Sequence, residues 1–143
     1  MFREIRGVQQ RPDGTRRRWF QASYFDLFVR QDVLRRVEWF QLCYGRDTPW
    51  ERVLEWRRGA FAHMRVTQPR HAADREAGIL VADGRMPHAD VLERFAAAAG
   101  TLPPEIASFV AETVREHERP SRRFRRPGAR TPRWLERLRR RTL

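Results

Sequence analysis

Lysine is missing from this chain: all 30 basic residues are arginine. A G+C-rich coding sequence accounts for that choice, because arginine codons are G+C-rich and lysine codons are not. It does not account for a net charge of +12, which needs a physical reading. Cysteine is nearly missing too. Cys43 stands alone, which excludes an internal disulfide and any multi-cysteine zinc site. The apolar runs are too short to cross a bilayer, and the opening MFREIRGVQQRPDG has no apolar stretch of the secretory-signal kind. Glycines occur singly at turns, so neither of the usual glycine-rich phosphate loops is present. HExxH, CxxC and paired histidines on one element are absent as well. These absences disfavour the common nucleotide- and zinc-dependent enzymes. They point to a soluble, cytoplasmic protein with no cofactor and no metal. A chain of 143 residues fits one domain with a real core and a tail to spare.

What is present is placed unevenly. Arg119 to Leu143 holds 11 arginines against one acid, Glu136, a net +10. Residues 1–118 hold 19 arginines and 17 acids, a net +2. The large aromatics gather in residues 16–66, which read as consecutive strands. Ile5 to Gln9 suits a short first strand or a lead-in, and Arg11-Pro12-Asp13-Gly14 is a turn signal. Ser23 to Arg30 alternates, with Phe25, Leu27 and Val29 on one side and Tyr24, Asp26 and Phe28 on the other. Val37 to Tyr44 is apolar or β-favouring and free of Pro and Gly. Arg52 to Arg57 is a further strand, with a helix as the rival reading for Trp50 to Trp56. Phe61 to Val66 follows the turn at Arg58-Gly59. Short connections between these strands predict an antiparallel meander of four to six strands.

Thr67 to Ala77 reads as a surface loop, Gly78 to Ala82 as a short strand or connector, and Asp83-Gly84 as a turn. Beyond Pro87 the period becomes helical. Val91, Phe95 and Ala98-Ala99 define one helix, ended by Gly100. Ile106, Phe109, Val110 and Val114 define a second, with Thr101 as its cap, prolines in its first turn, and a stop by Glu118. The pair is expected to pack on the sheet as a helical hairpin, giving an α+β domain over 1–118. The Arg-rich tail, 119–143, reads as disordered over Ser121 to Pro132. Thr131 to Leu143 suits a short amphipathic helix that needs a partner to persist.

The spacing of RRRWF, YFDL, FQLCYG and LEWRRG, followed by ILVADG and LPPEIASFV, resembles a small family of bacterial conserved-hypothetical proteins. The resemblance covers roughly residues 3 to 116 and departs from the family pattern at Gln31 to Arg36, where the loop is less turn-like. These are aromatic strand motifs. They imply a shared fold and bring no activity or site residues with them.

Candidate chemistry is sparse. Cys43, between Leu42 and Tyr44, suits a buried strand position better than a nucleophile. His63, His71 and His88 with Asp74, Asp83 or Asp90 offer metal-ligating types, but not at ligand spacing, and read as solvated or hydrogen-bonded. Asp26 lies inside an aromatic strand, as a general base or as the partner of an arginine such as Arg18 or Arg57. A polar site around Asp26 and Arg57 would make a small enzyme or ligand-binding domain. The aromatic sheet itself, bordered by Arg16 to Arg18 and Arg57-Arg58, could stack bases, although a small domain needs those rings for its core.

The densest signal is the tail. Arg122, Arg123, Arg125, Arg126, Arg130, Arg133, Arg137, Arg139, Arg140 and Arg141 offer guanidinium forks that bind phosphate bidentately. Phe124, Trp134, Leu135 and Leu138 add apolar anchors. A polyanion (RNA first, or DNA), an acidic protein or an anionic membrane surface would suit this pattern; a solvated extension is the plain alternative. The reading is a non-enzymatic binding or accessory protein with no catalytic residues and no metal ligands.

Overall fold

The computed structural model describes residues 1–67, 79–82 and 85–119. The loop expected after Thr67, the turn at Asp83-Gly84 and the basic tail from Pro120 onward lie outside the described residues. The strands are β1 (Arg3–Glu4), β2 (Arg16–Gln21), β3 (Phe25–Gln31), β4 (Val37–Tyr44), β5 (Arg52–Arg57), β6 (Ala60–Thr67) and β7 (Ile79–Ala82). They pair antiparallel in sequence order, so β2 to β7 form a meander and the two-residue β1 adds to its edge. Helix α1 (His88–Ala98) and helix α2 (Pro104–Glu118) follow, joined by a 3₁₀ turn at Ala99–Thr101. The fold is α+β, as expected.

Local chemistry sets each turn. Arg58 and Gly59 both have positive φ, 45° and 86°, the pairing that lets a two-residue hairpin match the twist of its strands. Between β3 and β4 the Asp32 carboxylate accepts hydrogen bonds from the backbone N–H groups of Leu34 and Arg36 and from Arg36 Nε, each at 2.9 Å. That carboxylate fixes a loop with little turn character in its sequence, and the register shifts between Arg30 and Gln31 to accommodate it.

Several elements depart from expectation. The first strand is Arg3–Glu4, not Ile5 to Gln9, and β2 begins at Arg16, because Arg16 to Arg18 pair with Gln31, Arg30 and Val29. Trp50 to Trp56 is not helical; β5 pairs on both edges. Thr101 does not cap α2. Pro103 holds the N-cap position, while the Thr101 hydroxyl donates to the carbonyl of Phe2 at 2.5 Å and anchors the N-terminus.

Both faces of the central strands are buried. On the helix side Phe20, Phe25, Leu27, Val29, Phe40, Leu42 and Leu54 pack with Val91, Phe95, Ile106, Val110 and Val114. On the opposite face Trp19, Phe28, Trp39, Cys43, Val53 and Met64 form a second cluster, with Ile5 and Val8 against it. Phe40 links sheet to helix, stacked on Trp56 at 6.0 Å and edge-on to Phe109 at 6.4 Å. Phe40→Ala is expected to cost about 3–5 kcal/mol, read as a lower urea midpoint with an unchanged slope. A loss below about 1 kcal/mol would mean that this contact does not hold α2 to the sheet.

Candidate functional site

Cross-strand register arranges the second face as a grid. One row runs Gln21, Asp26, Cys43, Val53, Met64; the next runs Trp19, Phe28, Gln41, Glu55, Ala62; a third runs Arg17, Arg30, Trp39, Arg57, Ala60. Three acid or amide side chains sit among these rings with less than a tenth of their surface exposed: Asp26, Gln41 and Glu55.

Asp26 is held from three sides. Trp19 Nε1 and Gln21 Nε2 donate to its Oδ1 at 2.9 and 3.1 Å, and Arg46 Nε lies 3.3 Å from Oδ2. Its ion-pair partner is Arg46 rather than Arg18 or Arg57. Arg18 instead forms a two-pronged pair with Glu4, at 2.7 and 2.8 Å, and this contact holds the Glu4 carboxyl below its usual range and Arg18 above its own. Arg57 shares the face with Asp26 but belongs to the row through Trp39. Four strand positions separate the two rows, about 13 Å, so Asp26 and Arg57 do not converge on one reacting atom. Two hydrogen-bond donors and one ion pair occupy the Asp26 carboxylate, which ties Trp19, Gln21 and Arg46 to one point of the sheet.

Glu55 is the acid that sequence reasoning passed over. Gln41 Nε2 donates to its Oε2 at 2.5 Å, and no cation pairs with it among the described residues. No local signal marks it, since its neighbour Gln41 is fourteen residues away in sequence and meets it only through the β4–β5 register.

The described histidines come together elsewhere. On the helix side His63 of β6 is bonded through Nε2 to the Tyr44 hydroxyl at 2.7 Å, the two rings parallel at 5.9 Å. His88 Nε2 and His117 Nδ1 share a hydrogen bond of 2.8 Å between the first residue of α1 and the last turn of α2. The His117 ring lies 6.2 Å from that of His63 and 5.0 Å from Phe61. Spacing along the chain conceals this cluster, which needs β6, α1 and α2 to be packed first. His71, Asp74 and Asp83 lie outside the described residues, and Asp90 pairs with Arg94 at 3.1 Å. Among the described residues no group of three His, Cys, Asp or Glu could hold a metal ion.

The arginines expected to border a stacking platform have other places. Arg17 is buried, and desolvation with Arg11 and Arg30 nearby lowers its guanidinium below the usual range. Arg16 and Arg17 help line an open cleft of about 450 Å³ with Glu4, Arg6 and Gln10. Arg58 reaches Glu38 at 3.4 Å. Trp19, Phe28 and Trp39 are at most 3% exposed, so those rings belong to the core and offer no face to a base. No helix among the described residues is long and apolar enough to cross a membrane. The tail arginines from Arg122 to Arg141, with Phe124, Trp134, Leu135 and Leu138, lie outside the described residues.

Two tests follow from this geometry. Asp26→Asn keeps an acceptor for Trp19 Nε1, whereas Asp26→Leu strands a buried donor. The second should cost about 1–3 kcal/mol more than the first in urea unfolding, and equal losses would show that charge, not hydrogen bonding, is what the site needs. Cys43 is 1% exposed, so a thiol reagent should label it only after denaturation, and prompt labelling of the native protein would revive a reactive thiol. Comparison with protein-family models, with curated proteins and with solved structures finds no match for the chain.

Proposed function

We propose that this is a non-enzymatic binding or accessory module, working in the cytoplasm, whose Arg-rich tail engages an anionic partner, with RNA as the polyanion. The observation that carries the reading is the charge partition: 11 arginines against one acid beyond residue 118, where the preceding 118 residues are within +2 of neutral. The body's pairing supports it. Glu4 with Arg18, Asp26 with Arg46, Asp32 with Arg36, Glu38 with Arg30 and Asp90 with Arg94 pair five of the 17 acids of residues 1–118 with arginines of the same domain. Tail arginines at this density outnumber any local acid and read backbone phosphate, which carries no base information directly. The body then serves as the folded mount and the tail as the contact.

The test is titration of the full chain against an unstructured oligoribonucleotide at two salt concentrations. Affinity should fall with salt along a log–log slope of about −0.7 per phosphate neutralised. Replacing Arg122, Arg123, Arg125 and Arg126 with glutamine should weaken all sequences alike and flatten the slope. Replacing Trp134 and Leu138 with alanine should matter little for RNA, but strongly if the partner were a lipid surface or a protein groove. Affinity unchanged by the four glutamines would end the tail reading.

A further inference from the structure

Three of the chain's four histidines meet at one junction, brought there by three different elements. We propose that His63, His88 and His117 form a proton-operated latch, which fastens the C-terminal turn of α2 to the body at neutral pH and releases it when the junction takes up a second proton. It deepens the tail reading, because α2 ends at Glu118 and the basic tail is rooted there.

The geometry limits how many protons the junction holds. An N–H···N bond between two imidazoles needs a lone pair on one of the facing nitrogens. His88 Nε2 and His117 Nδ1 meet this at 2.8 Å with both rings neutral, or with one ring charged. With both charged, two N–H groups face each other and the bond is lost. His117 lies in the last turn of α2 and His88 is the first residue of α1, so the bond ties the end of one helix to the start of the other. His63 adds a third ring 6.2 Å from His117 and is 5% exposed. Its Nε2 is engaged by Tyr44 across the intervening strand β5.

Charged groups of both signs surround the junction. Tyr44 approaches from β4, and Arg52 of β5 and Arg65 of β6 share its row on the same face. From α2, Arg115 stands in the same last turn as His117, with Glu116 and Glu118 beside it in the chain, and Asp90 lies in the first turn of α1, two residues from His88. Cations on the sheet and acids on the helix ends oppose one another, so the limit rests on the facing N–H groups of the imidazole pair. The unfolded chain has no such limit, so at acid pH it binds more protons than the folded junction does. Stability then rises with pH through the histidine range and falls as pH drops through it. Each proton the folded state excludes is worth about tenfold in the folding equilibrium per pH unit.

The experiment uses the full chain without any oligonucleotide, so it stands apart from the polyanion test. Urea unfolding at pH 7.5 and 5.5 is compared for the wild type, His88→Gln and His71→Gln. Glutamine at 88 can donate to a neutral His117 or accept from a charged one by turning its amide, so it removes the conflict without removing the bond. The wild type and His71→Gln should lose about tenfold or more in the folding constant on acidification, and His88→Gln should lose clearly less. Imidazole ¹⁵N spectra of the wild type should show the His88–His117 pair holding one proton until amide protection fails across Glu116 to Arg119. Equal pH dependence in His88→Gln and wild type overturns the latch. So does loss of the pH dependence in His71→Gln, or a doubly charged pair in the wild-type spectra with α2 still protected, a readout that needs no variant to fold.

Discussion

Phe28 and Val29 are neighbours in β3, point to opposite faces of the sheet, and are both fully buried. Leu42 with Cys43 in β4, and Val53 with Leu54 in β5, repeat the situation. A strand out of water on both sides has nowhere to place a polar side chain except against another polar group. That constraint explains the second face. Asp26 is tolerated there because Trp19, Gln21 and Arg46 surround its carboxylate, and Glu55 lies against Gln41. It also explains why so many of the rings concentrated in residues 16–66 are unavailable for recognition. They fill two layers instead of one.

The same constraint sorts the charges. Groups that the sheet presses toward its interior acquire partners inside the domain, as Arg30 and Glu38 do at 2.7 Å with both side chains largely covered. Exposed pairs such as Asp90 with Arg94 add little, because water and salt screen them. What matters for recognition is what such pairing leaves over. In the first 118 residues the excess is two positive charges, and in the remainder it is ten. The excess positive charge therefore belongs to the last 25 residues of the sequence.

The sequence was most legible where local and tertiary preferences agreed. Val37 to Tyr44 and Arg52 to Arg57 were read at their observed bounds, because β-favouring residues run there without Pro or Gly. The buried stripe of α2, Ile106, Val110 and Val114, followed from helical spacing alone. Residues 16–66 were read as strands without a start being set for the first of them, because three consecutive arginines carry no strand signal; pairing with β3 places that start at Arg16. The loop at Asp32 lacked a turn motif because Arg35 takes the positive φ of 66° that a glycine would usually supply, held there by the Asp32 carboxylate bonded to the N–H groups of Leu34 and Arg36. Thr101 has the right type and place for a cap, but the carbonyl of Phe2, ninety-nine residues away, took its hydroxyl. Glu55, Arg46 and His117 were missed for the same reason: each acquires its significance from a partner that only register or packing delivers.

Arginine as the sole basic side chain has a consequence for control. A guanidinium stays charged up to about pH 12 or beyond, so the tail's cationic charge is constant across any cellular pH. Lysine would offer a titratable or acetylatable ammonium, and this chain has none. Apart from the α-amino group, the side chains that ordinarily change charge near neutrality are the four histidines. His63, His88 and His117 stand together at the α1–α2 junction. Under the proposed function, pH would reach the tail through the folded domain and not through the tail's own basic groups, which do not titrate there. The proposed latch supplies the route, from the His88–His117 bond to the last turn of α2, where the near-neutral part of the sequence ends.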